Sequence, residues 1–242
     1  VKLRLTASLA ALLIASTALA VIPAGRTVLM RFASRQAVDH AAPSTLIGQL
    51  TLPGQATAFA ARVDLAFPNS CKTQFELPSG RALVNLVSGA LANQSGPQPA
   101  VEAFVAFACP LFALKNVPSS DADNVLGRLL TSWGISLEVS SMNMLNGHAA
   151  YVIGAKPNET TRPQIWFDKV TERPVRVIAA RGGKLWDLRF TDPASVATNR
   201  LAPRVTQVWQ DNALMLTLHL MAMDVKVSGP AASADESDDD SE

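Results

Sequence analysis

Histidine is scarce in this sequence: His40, His148 and His219 are the three present, and none has a Cys or a carboxylate at metal-ligand spacing. No G-x-S-x-G, no H-E-x-x-H and no phosphate-cradling glycine loop occurs. Acyl transfer by an activated nucleophile, metal-assisted hydrolysis and nucleotide chemistry therefore have no constellation to run on. The expected protein is not an enzyme, and no catalytic residue, metal ligand or cofactor is assigned. His219 alternates with leucines in a strand-like run, the place of a packed strand residue rather than a base.

Cysteine is nearly as scarce. Cys71 and Cys109 are both far from the amino end, so the apolar start of the chain carries no lipidated-cysteine motif. In an oxidising compartment these thiols have only each other to pair with, and both a disulfide and two buried free thiols fit the sequence. Charge is missing from residues 5–22. Lys2 and Arg4 precede that apolar run, and Ala18-Leu19-Ala20 puts small residues two apart near its end, the pattern of a secretory signal peptide over residues 1–20 cleaved before Val21. The run of ~18 residues sits at the lower limit for spanning a bilayer. Delivery to the periplasm is the expectation.

Residues 21–230 contain no internal repeat and no dividing linker, and a chain of ~200 residues fits one domain with a sizeable core. Residues 231–242 are acidic, of low complexity and without an apolar anchor, so a disordered tail is expected there. Of 21 basic residues, Lys2 and Arg4 fall in the leader; of 20 acidic ones, Asp235, Glu236, Asp238, Asp239, Asp240 and Glu242 fall in the tail. The folded part is thus cationic. Such a surplus suits anionic headgroups or acidic partners, as well as plain solubility, and nucleic acid is not an expected partner in this compartment.

Periodicity divides the domain. Val28, Leu29, Phe32 and Val38, with Arg26, Arg31 and Arg35 between them, predict an amphipathic helix over 26–38. Residues 46–52 and 57–67 predict strands, the second placing Phe59, Ala61, Val63, Leu65 and Phe67 on one face, and Cys71, Thr73, Phe75 and Leu77 repeat the scheme. Between 81 and 135 the pattern becomes helical. Residues 99–114 are apolar at nearly every position; 121–133 carry Val125, Leu126, Leu129, Leu130 and Trp133 on one stripe, with capping residues at 119–121 and Gly134 as a stop. The apolar helix is either buried on both sides or closes over a greasy cavity. Further strands are expected over 204–210, 213–220 and 221–227, with Leu214, Leu216, Leu218 and Leu220 on one face and adaptable methionines at 215, 221 and 223.

The most legible stretch runs from Gly147 to Arg189. HAAYVIGA, RPQIWFDK, RPVRVIAAR and KLWDLRF are short, β-branched and aromatic, and are separated by KPNETT, VTE and Gly182-Gly183, the signature of an antiparallel meander. Asn158-Glu159-Thr160 is a sequon-like match that marks an exposed turn. Gln164-Ile165-Trp166-Phe167-Asp168-Lys169 followed by Arg173-Pro174-Val175-Arg176, with Tyr151-Val152-Ile153-Gly154-Ala155 upstream, resembles the central hairpin of the outer-membrane lipoprotein-sorting superfamily, the LolA- and LolB-like periplasmic carriers. The resemblance spans roughly residues 46–227.

It implies an α+β fold: a curved antiparallel sheet or incomplete barrel with an N-terminal helix and central helices over its concave face. A β-sandwich with peripheral helices is the structural alternative. The implied function is periplasmic carriage of lipoprotein or lipid acyl chains between membranes, with inner- and outer-membrane transport proteins as further partners. An interaction or sensor module on the same fold is the competing class. Residues expected to line the acyl site are Phe104, Phe107, Leu111, Phe112, Trp166 and Met215, with Cys71 and Cys109 as the candidate disulfide. The carriers also use an arginine on an early strand to hold a helical lid; Arg62 lacks the flanking pattern, and that role is not carried over to it.

Overall fold

The computed structural model describes residues 22–36, 44–66, 70–87, 90–95, 98–113, 119–191 and 202–225. The predicted leader, the acidic tail, Val38 and His40 lie outside the described residues. Helix α1 spans Gly25–Gln36, α2 Pro99–Ala113 and α3 Ser119–Ser132. The strands are β1 Ser44–Thr51, β2 Phe59–Ala66, β3 Ser70–Leu77, β4 Gly80–Val87, β5 Ala90–Ser95, β6 Ser140–Leu145, β7 His148–Ile153, β8 Gln164–Asp168, β9 Pro174–Arg181, β10 Lys184–Thr191, β11 Val205–Gln210 and β12 Ala213–Val225. They form one sheet of 12 strands in the order β5-β4-β3-β2-β1-β12-β11-β10-β9-β8-β7-β6.

Every pairing in the sheet is antiparallel and joins strands adjacent in sequence, except at one seam, where β1 meets β12. Two meanders, β1–β5 and β6–β12, are thereby zipped into one surface whose edges are β5 and β6. The chain that runs from one edge strand to the other carries α2 and α3, and α3 packs on α1. The sheet is curved and open. Helix α2 touches β2 to β5 on one flank and β9 to β12 on the other. In a flat sheet β5 and β9 would lie about 38 Å apart at the usual strand spacing, whereas a helix is about 10–12 Å wide, so the strands must wrap around α2. One continuous sheet also disposes of the sandwich alternative.

Alternation sets which side chains meet the helices. Cys71, Thr73, Phe75 and Leu77 of β3 are buried, as are Ala82, Val84 and Leu86 of β4, Ile165 and Phe167 of β8, and Trp186, Leu188 and Phe190 of β10. Helix α1 adds Val28, Leu29, Phe32 and Ala33, with the Phe32 ring 5.1 Å from Phe167; α3 adds Leu126 and Leu130. Gly182 and Gly183, both with positive φ, form the two-residue turn between β9 and β10, a conformation L-residues rarely adopt.

Three expectations need correction. Residues 80–95 are strands β4 and β5, not the start of the helical region; Ala82-Val84-Leu86 is a period-two signal blurred by Leu83 and Val87 on the other face. The chain from 213 to 225 is one strand rather than two, and it carries irregular register opposite Val208/Trp209 and opposite Ile47/Gly48. Met215 and Met221 are the extra residues there, 37% and 65% exposed. A one-residue bulge inverts the facing of the strand beyond it, so Leu214, paired with Trp209, leaves the leucine face that Leu216, Leu218 and Leu220 retain. At the second bulge β12 presses so close that a Cβ on Gly48 would overlap the His219 carbonyl oxygen.

Candidate functional site

The site is built around α2. Its sequence, PAVEAFVAFACPLFA, has apolar residues on every side, and all of it but Pro99, Glu102 and Ala106 is buried. A helix with no polar stripe must be enclosed on all sides, and the wrapped sheet supplies that enclosure. Phe104, Phe107, Leu111 and Phe112 are brought together here, none more than 3% exposed. Aromatic rings cross the concavity in sequence: Phe75 on β3 lies 6.1 Å from Phe104, Phe104 lies 6.2 Å from Phe112, and Phe112 lies 6.0 Å from Phe190 on β10. Phe107 meets Trp133, just past α3, edge-on at 5.4 Å. Offset and edge contacts of this kind add to the area burial.

Two ties fix the helix. Cys109 is bonded to Cys71 of β3, with Cα atoms 6.1 Å apart, across a sequence separation of 38. At the other end Glu102 of α2 pairs with Arg181 of β9 at 3.4 Å.

Trp166 and Met215 are not part of this assembly. Phe167 points into the concave core, so its neighbour Trp166 faces out, into a separate cluster of Ala150, Val152 and Ala155 with Leu145 and Val175 beside it. Met215 sits at the bulge in β12. On that outer face lies a cluster that sequence reasoning did not find. Arg176 donates to Asp187 through Nε and Nη2 at 2.8 and 2.7 Å, and Arg189 donates to the same carboxylate at 3.0 and 2.9 Å. Arg176 stacks on Trp166 at 5.0 Å, and Arg189 on Trp209 at 4.5 Å. The signal available was the alternation of Asp187 and Arg189 with Trp186, Leu188 and Phe190, together with Arg176 in RPVR.

Arg62 also faces out: it pairs with Asp64 at 2.9 Å and donates to the Thr45 hydroxyl, and its side chain is 47% exposed. Arg81 and Gln74 donate to Glu76, holding its carboxyl below the ordinary range. His148 and His219 are exposed. Among the described residues no group of three or more His, Cys, Asp or Glu side chains is placed to hold a metal ion, and no helix is long and apolar enough to cross a membrane. A groove of about 450 Å³ runs beside α1 and α3, lined by Arg26, Leu29, Asn124, Gly127 and Leu137 among others. A cavity of about 590 Å³ lies at the end of the sheet near the β8–β9 turn. Neither is lined by α2.

No family model matches the chain, and no curated protein matches it. Among solved structures, an outer membrane lipoprotein-sorting protein domain from Vibrio parahaemolyticus is 10% identical, with a TM-score of 0.48 over 85% of this chain and 95% of that one. A LolA superfamily protein from Nitrosomonas europaea is 12% identical, with a TM-score of 0.47 over 85% and 94%. A DUF1329 family protein from Desulfovibrio piger is 10% identical, with a TM-score of 0.43 over 86% and 94%. The solved structures to which this chain is similar thus include LolA superfamily and outer membrane lipoprotein-sorting proteins, at low sequence identity.

Proposed function

We propose that the protein is a non-enzymatic periplasmic carrier that shields the acyl chains of a lipoprotein or lipid during transfer between membranes. The observation that carries this reading is an apolar helix inside a curved sheet, with the side chains of Phe104, Phe107, Leu111 and Phe112 buried among hydrocarbon and aromatic groups. Such contacts are non-directional, so an acyl chain can replace them at little cost in specificity. The driving force scales with the apolar area removed from water, at roughly 25 cal/mol per Å². In this mechanism α2 moves against the sheet, and Phe104, Phe107, Leu111 and Phe112 exchange strand contacts for the chain. The hairpin residues 164–176 supply the sequence resemblance to the LolA- and LolB-like carriers.

A second reading is favoured by the completeness of the packing. With α2 enclosed and no described cavity against it, the same fold serves as an interaction or sensor module with a filled core. A fluorescent fatty-acyl probe separates the two. Under the carrier reading the probe binds, and Phe107→Trp gives an emission change on lipid addition; a protein that ignores the probe is the docking module. Native mass spectrometry of protein purified from the envelope then identifies the co-purified cargo.

A further inference from the structure

The inner face of β11 buries a hydroxyl. Thr206 is 0% exposed, and its Oγ1 has no hydrogen-bond partner among the described residues. Val208, the next inward residue of the strand, belongs to the main core, as do the cross-strand partners of Thr206, Phe190 of β10 and Leu218 of β12. Thr206 therefore points into the concavity that holds α2. We propose, on the carrier reading of the α2 site, that Thr206 is its specificity-determining residue: the hydroxyl donates to the carbonyl oxygen of a bound acyl ester, so that the cargo is an esterified chain rather than bare hydrocarbon or a free fatty-acid carboxylate.

A hydroxyl buried without a partner costs the full desolvation of the group, and native proteins keep few of them. Thr73 shows the ordinary solution. It too is buried on the inner face, on β3, and it donates to the Val84 carbonyl oxygen of β4. Thr206 makes no such bond, although valine would fill the same space without the penalty. Ser44, the other buried hydroxyl without a partner, begins β1 beside residues that are not described, and no role is assigned to it.

The position suits a head group. The aromatic contacts that cross the concavity, from Phe75 through Phe104 and Phe112 to Phe190, end beside Thr206, because Phe190 is its direct partner in the β10–β11 ladder. A chain lying along those rings has apolar neighbours for its length and a hydroxyl at its β10–β11 end. A hydroxyl is a single donor, which matches one carbonyl oxygen of a neutral ester. A carboxylate would bring a full charge into the same surroundings, and one neutral donor does not offset the desolvation of that charge. An alkane would leave the hydroxyl as unpaired as it is without a ligand.

The test loads the full, oxidised chain with methyl dodecanoate, dodecanoate or tetradecane from cyclodextrin complexes. Affinity is read by displacement of the fluorescent acyl probe, and the ester carbonyl stretch by infrared spectroscopy. The wild type should bind the ester with its carbonyl band at lower frequency than the same ester shows in hexane. Thr206→Val should return the band to the hexane position and weaken ester binding about two- to tenfold, the size of one net hydrogen bond, while tetradecane binds both proteins equally. Thr206→Ser should restore band and affinity. Without ligand, Thr206→Val should melt at the wild-type temperature or higher, since it removes an unpaired hydroxyl and keeps the shape. Ester that binds with band and affinity unchanged in Thr206→Val overturns the assignment and leaves the carrier reading standing, as does dodecanoate binding more tightly than its ester. A ligand-free Thr206→Val protein that melts clearly lower gives the hydroxyl a structural role and overturns it too. If the probe does not bind the wild type at all, the carrier reading itself has failed, and the assignment falls with it.

Discussion

Strand β10 puts the two faces of the sheet side by side. Trp186, Leu188 and Phe190 point inward and are buried against α2 and its neighbours, while Asp187 and Arg189 point outward into the guanidinium–indole cluster. The inner face is held by area and shape. The outer face is held by directional bonds between groups only partly removed from water: side-chain exposure is 15% for Arg176, 18% for Asp187 and 31% for Arg189. This contrast decides where a ligand can enter without a polar penalty. An acyl chain sliding in beside Phe104, Phe107 and Phe112 meets the rings of Phe75, Trp133 and Phe190, whereas anything displacing Asp187 leaves two guanidinium groups facing each other.

Mutations on the two faces should differ in size and in their effect on lipid. Truncating Phe112 to Ala removes a ring that touches both Phe104 and Phe190, and the lipid-free protein should lose about 3–5 kcal/mol in urea unfolding. Replacing Cys71 and Cys109 together by Ala frees a 38-residue loop in the unfolded chain, an expected loss of about 3–4 kcal/mol in the chain-entropy model. That variant should also bind the acyl probe at least as well as wild type, since α2 is less tightly held. On the outer face, Asp187→Ala should cost about 1–2 kcal/mol, discounted from the buried-pair value because the groups remain partly wet. Probe binding should not change; a parallel loss of binding would show that the two faces are coupled.

The smallest effect lies at Glu76, where Arg81 and Gln74 hold the carboxyl below its ordinary value. A depressed carboxylate contributes stability above its unfolded pKa of about 4.3 and loses it as pH falls through the folded value. Glu76→Gln should therefore lower the melting temperature slightly at pH 7, with the difference shrinking as the pH falls below the unfolded value.

Much of this architecture was legible because period-two alternation is a local signal. The meander from His148 to Thr191 and the strands around Val63 and Phe75 follow from it directly. Strand β4 was hidden because Leu83 and Val87 put apolar residues on both faces, and β6, with its sequence SSMNML, has too little apolar contrast. The bulges at Met215 and Met221 were illegible for a different reason: a single extra residue changes facing without changing composition. At the site, the all-round apolar character of α2 was plain, but its enclosure depends on sheet curvature, which no local pattern states. Trp166 and Phe167 are adjacent in a strand and so face opposite sides; choosing Trp166 for the inner site picked the wrong face of β8.

The central claim is that acyl chains occupy the space between α2 and the sheet, and photocrosslinking reads it directly. The oxidised full chain, incubated with a diazirine-bearing fatty acid and irradiated, is digested and mapped by mass spectrometry. Labels on 104–112 and on the facing strands β3 and β10 are the predicted result. Labelling that is absent, or confined to the rim near Val170 and Val175, would contradict it.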